Sequence, residues 1–213
     1  SVSSGKASFD RPEGEVSLQA DAIILALGGG SWPQTGSDGA WVEPLEKAGI
    51  GVSPLSSANC GWEVAWSPEL AEQLEAQPLK NVVATVGSQM APGEIMLTNY
   101  GMEGGPLYAL GPVLRAMTEP AITLDFKPTF TIEKLVAKME SAKKNFLKES
   151  QYRWKLSEPM RLILDHFHGP FNSVEELARH AKACCIPLTR PRPLEEAISS
   201  AGGVPWRGLN DEL

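Results

Sequence analysis

The sequence has few cysteines and no long hydrophobic run. Cys60, Cys184 and Cys185 are an odd number with one adjacent pair, which is not the pattern of a disulfide framework. Adjacent cysteines bridge only with strain, so we interpret all three as reduced thiols, as expected in the cytoplasm. No apolar run approaches ~20 residues, so no membrane span is predicted. The first ten residues also lack the apolar core of a secretion signal.

The chain is also poor in basic charge. It has 19 Lys and Arg against 26 Asp and Glu, a formal net charge of −7 at pH 7. This argues against a general nucleic-acid partner, because such proteins need a basic surface. Positive residues concentrate in one region, which we interpret as a solvated helix face, with collection of an anionic phosphate or an acidic partner as the alternative. They are Lys127, Lys134, Lys138, Lys143, Lys144, Lys148, Arg153 and Lys155.

Several motifs that mark catalytic or metal sites are absent. The sequence contains no G-x-G-x-x-G, Walker loop, G-x-S-x-G or H-E-x-x-H. His166, His168 and His180 have no cysteine or acid at a recognisable zinc spacing. The rings of a His-x-His pair point to different sides of a helix, so no metal site is predicted.

What is present is a glycine-rich loop after an apolar run, in residues 21–39, DAIILALGGGSWPQTGSDG. Ala22–Leu27 is too short for a helix and predicts a strand buried on both faces. Gly28, Gly29 and Gly30 follow, and glycines let the backbone turn sharply and approach a ligand closely. Open α/β sheets bind cofactors at such strand ends. A ligand-free glycine turn is the alternative.

The rest of the chain predicts an α+β fold. We expect a hairpin over Lys6–Leu18, a short helix over Ala40–Ala48 and another over Pro106–Met117. Short apolar segments separated by turn residues indicate a β-barrel or sandwich. These segments are Gly61–Trp66, Asn81–Val86, Glu94–Thr98 and Ala121–Phe126, with two more at Ile186–Thr189 and Leu194–Ser200.

Helix starts are marked by capping residues. Ser67, followed by Pro68, predicts a short helix to about Leu74. Thr131, Ser157 and Ser173 begin three further helices, which we expect to form a small bundle nested inside the β unit. Ser173 and Glu176 have the spacing of a capping box.

Three stretches resemble, in this order, the BaiN-like (YhiN-type) bacterial flavoproteins, FAD oxidoreductases of the two-dinucleotide type with a large insert. They are ADAIILALGGGSWPQTGSDG, GEIMLTNYGMEGGP and RPRPLEEAISSAGGVP. The family's opening G-x-G-x-x-G turn and its closing segments over the flavin have no counterpart here. The resemblance therefore implies an internal portion of a larger flavoprotein. Its implied parts are a partial α/β FAD-domain segment (1–50), a β-barrel-like insert (51–126 and 186–204), a nested three-helix subdomain (127–185) and a return toward the FAD domain (205–213).

Candidate site residues follow from these stretches. Tyr100, beside glycines at a strand end, is the candidate proton donor, with a packed tyrosine in a tight turn as the alternative. Arg190 and Arg192 form what we call the arginine segment. Arginine side chains suit carboxylate and phosphate ligands, and the alternative is a solvated loop whose arginines make salt bridges. The resemblance implies that Gly28, Gly29, Ser31, Thr35, Gly36, Gly202 and Gly203 lie along the FAD, and that Thr98, Gly104, Arg190 and Arg192 line the substrate cleft.

The implied activity is hydride transfer from NAD(P)H through FAD to a small organic substrate, with the flavin doing the redox chemistry. The 213 residues alone are expected to be inactive and colourless, and surfaces left open by absent segments favour a homodimer. The alternative is a non-catalytic module that docks a partner protein through the helical bundle, with Trp62, Trp66, Trp154 and Trp206 as contacts. A hydrolase would need a nucleophile and base, and no such pair is recognisable.

Overall fold

The computed structural model describes residues 2–3, 5–142 and 145–209. Lys143 and Lys144 of the lysine-rich region, and residues 210–213 of the predicted return segment, lie outside it. The strands are β1 Val2–Ser3, β2 Lys6–Arg11, β3 Gly14–Gln19, β4 Ser53–Ser57, β5 Trp62–Glu63, β6 Pro78–Val86, β7 Gln89–Thr98, β8 Gly101–Glu103, β9 Ala121–Asp125, β10 Cys184–Pro187 and β11 Ser200–Gly203. The helices are α1 Val42–Lys47, α2 Pro68–Leu74, α3 Gly105–Arg115, α4 Ile132–Ala137, α5 Phe146–Arg153, α6 Glu158–His168 and α7 Val174–Lys182.

A curled sheet of six antiparallel strands, in the order β10-β9-β6-β7-β8-β5, organises the molecule. Side chains alternate along a strand, and one face of β6 and β7 buries Leu79, Val82, Ala84, Ile95 and Leu97. Helix α3 buries its leucines in the same core. The predicted α+β class with a barrel-like β unit is therefore confirmed.

The segment after β10 reaches the opposite edge of this sheet. Strand β10 is one edge and β5 the other. The Thr189 N–H donates to the Glu63 carbonyl, the Glu63 N–H to the Arg190 carbonyl, and the Arg192 N–H to the Gly61 carbonyl, each at 2.8–2.9 Å. These bonds cover the exposed polar backbone of an edge strand, and they bring the arginine segment back to the sheet.

The described chain also contains two smaller β units. Strands β1, β2 and β3 form an antiparallel sheet, whose β2–β3 pair is the predicted hairpin. Strand β11 pairs antiparallel with β4, with Ser200 opposite Ser57. The last strand thus returns to the residues that precede the six-stranded sheet.

In the part of the chain that the structure describes, the helical unit between β9 and β10 contains four helices rather than the predicted three. The additional helix, α5, begins after Asn145, which has a left-handed backbone and no side-chain cap. It has few apolar residues, so the sequence shows no strong apolar stripe there. Trp154, which follows it, donates its indole N–H to the Leu135 carbonyl at 2.8 Å in the core, and this bond ties α5 to α4.

Three of the four predicted caps form as expected. The Ser67, Thr131 and Ser173 hydroxyls accept hydrogen bonds from the N–H groups of Leu70, Lys134 and Glu176 at 3.1–3.3 Å. The fourth predicted cap, Ser157, precedes α6. This helix begins at Glu158 as predicted, but the Ser157 hydroxyl makes no capping hydrogen bond.

The predicted strand at Ala22–Leu27 is wrong for the described chain. The run is assigned no regular secondary structure and pairs with none of the described strands, and Ile24 is 90% exposed. A strand buried on both faces needs neighbours on its edges and helices over its faces, and none of the described segments supplies them. The predicted strand at Leu194–Ser200 is also wrong, because this segment begins with a 3₁₀ turn and only Ser200 belongs to β11.

The tryptophans divide between core and surface. Trp62 and Trp154 are buried and cannot contact a partner, whereas Trp206 is 84% exposed. None of the helices in the described ranges is long and apolar enough to cross a membrane.

Candidate functional site

The glycine loop lies against the β4–β11 ribbon. The Gly30 N–H donates to the Ser200 hydroxyl at 2.8 Å. A side chain at Gly29 would collide with Ser200, and one at Gly30 would meet Leu55 at 2.8 Å. The structure therefore brings the predicted cofactor glycines Gly28 and Gly29 to the strand that carries Gly202 and Gly203, from opposite ends of the sequence.

The turn after these glycines is tightly folded. Ser31 is buried, and Thr35 donates its hydroxyl to the Trp32 carbonyl at 2.8 Å. Trp32 has a left-handed backbone with φ 57°, and Gly36, with φ 89°, ends the turn. A non-glycine residue with positive φ is uncommon, and here the turn holds the Trp32 ring at the surface, 45% exposed.

A cavity of about 240 Å³ lies where the loop, the β sheet and the arginine segment meet. Trp32 and Ile198 contribute exposed apolar surface, and Tyr100 and Arg192 contribute polar groups. Its lining residues are Trp32, Cys60, Gly61, Tyr100, Glu103, Tyr108, Arg192, Glu196 and Ile198. We call this space the tyrosine cavity. Its wall mixes apolar side chains with charged and phenolic groups, and convergent polar groups of this kind fix the orientation of a small molecule.

Tyr100 is held by three neighbours. Its hydroxyl donates to a Glu103 carboxylate oxygen at 2.8 Å, and the Arg192 guanidinium lies over its ring, 4.4 Å from the centroid. Gly61 leaves room for the phenol, because a side chain there would come within 2.8 Å of the Tyr100 hydroxyl. Burial first, and then Glu103, raises the pKa of Tyr100. The phenol therefore stays protonated well above neutral pH.

Arg192 is the most connected side chain of the site. Its Nη1 donates to Glu63 at 2.8 Å, and its Nε and Nη2 make a two-point contact with Glu196 at 2.8 and 2.7 Å. Arg190 donates to the other Glu63 oxygen at 2.8 Å but does not line the cavity. This planar, two-point pairing is specific to arginine and holds its guanidinium over the ring of Tyr100.

Two predicted cleft residues have local structural contacts and do not line the tyrosine cavity. The Thr98 hydroxyl accepts the Gly101 N–H at 3.0 Å. Gly104 precedes α3 with φ 128°, and a side chain there would meet the Glu94 carbonyl at 2.7 Å.

Sequence reasoning missed Trp32, Cys60, Glu63, Glu103, Tyr108, Glu196 and Ile198. Two of them carried a signal, because Glu103 is three residues after Tyr100 and Glu196 four after Arg192, close enough in sequence for their side chains to meet. Glu63 had none, because its contact with Arg192 depends on the return of the chain after β10.

The remaining reactive side chains do not form a second centre. The three cysteines are free, and burial raises the pKa of Cys60 and of Cys184, which disfavours the reactive thiolate. His168 and His180 stack with ring centroids 4.2 Å apart. Among the described residues, no group of three His, Cys, Asp or Glu side chains is arranged to hold a metal ion.

The pairing of Glu63 predicts a pH-dependent contribution to stability. The Arg190 hydrogen bond, and then Arg192, lower the pKa of Glu63 from its usual 4.5 against the opposing effect of burial. Because the carboxyl has a lower pKa in the folded state, its stabilisation is complete above the usual pKa and is lost as the pH falls through the folded-state value. Glu63→Gln should lower the free energy of unfolding by about 1 kcal/mol at neutral pH, and this deficit should vanish in acid.

Urea denaturation from neutral to acidic pH measures the difference between the two proteins. Glu43→Gln is the matched control, because Glu43 pairs with Lys47 in the open, where both side chains are mostly exposed, and it should change stability little. A deficit for Glu63→Gln that stays constant down to acidic pH would show that shape, not charge, is responsible.

Comparison with known proteins places the chain in a family. A family model described as "HI0933-like protein barrel and H2TH domain" matches residues 56–199, more than half of the chain. The match covers the six-stranded sheet and all four helices of the nested unit. No curated protein matches the sequence. The chain belongs to the HI0933-like flavoprotein family, which is related to FAD-dependent oxidoreductases, and contains its barrel and H2TH region.

Proposed function

We propose that this chain is the insert portion of an FAD-dependent oxidoreductase, together with part of its flavin-facing surface. The enzyme passes a hydride from NAD(P)H through the flavin to a small organic substrate. The observation that carries the proposal is the shared tyrosine cavity, to which the glycine-loop turn contributes Trp32 and the β unit contributes Tyr100 and Arg192. A cofactor along the loop would thus border a polar, partly apolar cleft.

The glycine loop fits a cofactor of this kind. Within the described part of the chain, no hydrogen bond occupies the backbone N–H groups of Gly28 or Gly29. Free backbone donors at a slim loop suit polar or anionic ligand atoms. Gly28, Gly29, Gly202 and Gly203 are the residues that we propose to lie along the FAD, with Ser31, Thr35 and Gly36 shaping the turn beside them. The flavin, when bound, supplies the hydride chemistry.

The exposed apolar run supports a further covering surface. Ile24, Leu25 and Leu27 are all more than 40% exposed in a continuous stretch directly before the loop. Contiguous exposed apolar surface marks a place where another surface packs. We propose that other segments of the FAD-binding unit pair with Ala22–Leu27 and hold the pyrophosphate, for which this chain has no G-x-G-x-x-G turn.

Tyr100 is the proposed proton donor. The phenol is protonated at neutral pH, as an ordinary tyrosine is, and its O–H is donated to the Glu103 carboxylate. To act, the O–H turns from Glu103 to the substrate, and because the pKa of the phenol is raised, the proton passes only to an atom that becomes strongly basic as it receives the hydride. Arg192 packs over the ring and holds it in place, while Glu63 and Glu196 balance the arginine charge. A tyrosine so positioned can give a proton to a substrate atom that has received a hydride. Thr98, Gly104 and Arg190 contribute to the proposed substrate cleft by fixing the turns and the arginine segment around it.

Flavin content tests the proposal. We expect a longer polypeptide that extends this chain at both ends to purify yellow and to be bleached by NADH or NADPH without oxygen. The 213 residues alone should be colourless. Flavin bound at one equivalent to the 213 residues would contradict the need for further segments, and a longer protein without flavin would contradict the cofactor itself.

Tyr100→Phe tests the proton donor in the longer protein. Removal of the phenol should slow re-oxidation of the reduced flavin by an accepting organic compound about 100-fold, while flavin content and reduction by NAD(P)H stay unchanged. Stopped-flow absorbance of the flavin measures both half-reactions. Tyr152→Phe, at an exposed position, is the control. Equal re-oxidation rates for Tyr100→Phe and the unmodified protein would dispose of the assignment.

A further inference from the structure

A second cavity lies away from the tyrosine cavity and shares no lining residue with it. It has a volume of about 610 Å³ and lies between β6, the segment after β9 and the start of α6. We call it the lysine cleft. Its lining residues are Gln77, Pro78, Lys80, Asn81, Phe126, Lys127, Pro128, Thr129, Phe130, Lys155, Ser157, Pro159 and Met160.

The charge of the lysine cleft is opposite to that of the chain. Lys80, Lys127 and Lys155 line it and no carboxylate does, although the chain has 26 acidic residues and a net charge of −7. Asp125, close to Lys127 in sequence, is already engaged by the Lys182 ammonium at 2.6 Å and by the Lys127 N–H at 2.8 Å. The positive charge of the cleft is therefore not balanced from within its own walls.

Lys127 is held in an unfavourable position for a cation. Its ammonium donates to the Lys155 carbonyl at 2.8 Å. Burial first, and then the Lys155 ammonium, lowers the pKa of Lys127. A half-buried cation beside a second cation is disfavoured, and an anion bound between them would relieve both effects.

The backbone aims these side chains into the cleft. Leu79 pairs with Ile95 and Val82 with Gly93, so Lys80 and Asn81 form a bulge opposite a single residue. Bulges redirect side chains and occur often beside binding sites. Asn81 and Lys155 both have left-handed backbones, with φ 55° and 52°, and such strained conformations cluster at ligand sites.

Apolar side chains form the rest of the wall. Phe126 and Met160 are buried at its base, and Phe130 is half-buried beside them. We propose that the lysine cleft binds a phosphate monoester, with the ammonium groups of Lys80, Lys127 and Lys155 around the phosphate and the apolar wall against the ester group. Lysine is a common phosphate ligand that acts as a point charge, and the walls select an apolar or aromatic ester over the bare anion.

Phenyl phosphate is the probe, and amide chemical shifts of the ¹⁵N-labelled 213-residue chain are the readout. We expect saturable shifts at the amides of Asn81, Thr129 and Lys155. Lys155→Met and Lys80→Met should each weaken binding about tenfold, the loss that one charge-assisted contact implies. Lys134→Met is the matched control, because Lys134 is an exposed lysine outside the cleft. The affinity of this variant for phenyl phosphate should stay within about twofold of that of the unmodified chain.

Two further ligands separate the roles of charge and apolar wall. Inorganic phosphate should bind several-fold more weakly than phenyl phosphate, and phenol should cause no saturable shifts at these amides. The proposal is overturned if phenyl phosphate shifts other amides or none, or if Lys134→Met weakens binding as much as Lys155→Met. Equal affinity for inorganic phosphate would also overturn it, because the apolar wall would then have no role.

Discussion

The antiparallel pairing of β10 with β9 is the constraint on which the rest of the structure depends. Ile186 lies opposite Ile122 and Cys184 opposite Leu124, and all four side chains are fully buried. Buried cross-strand pairs of this kind fix register, because a slip of one residue would turn them out of the core. The chain leaves the sheet after β9, forms four helices, and is returned in one register by these pairs.

Everything after β10 depends on that return. Residues 189–192 reach β5 at the other edge of the sheet, where Arg192 contacts Glu63 and covers Tyr100. The chain then continues to β11, where the Ser200 hydroxyl accepts a hydrogen bond from the Gly30 N–H. The glycine loop, strand β5 and the segment after β10 are far apart in sequence. The Arg192–Glu63 ion pair and the β4–β11 ribbon join them.

Local signals in the sequence predicted much of the fold but little of the site. Caps, turn residues and apolar alternation predicted the hairpin, the central strands and most helices, because those features depend on neighbouring residues. The apolar run Ala22–Leu27 has the local pattern of a strand, but strand formation needs a partner that periodicity does not supply. Tyr100 and Arg192 were recognised singly. Their contact with one another, and with Glu63, depends on the long-range return after β10, which no short pattern encodes.

The central claim is that the glycine loop and the Tyr100–Arg192 pair face one cleft. A crystal structure of the longer, flavin-loaded protein tests it most directly. The account predicts that the flavin ring borders the tyrosine cavity, with the backbone of Gly28 and Gly29 along the cofactor and Tyr100 facing the ring across the substrate space. A flavin ring on another face of the β unit, with Trp32, Tyr100 and Arg192 remote from it, would contradict the account.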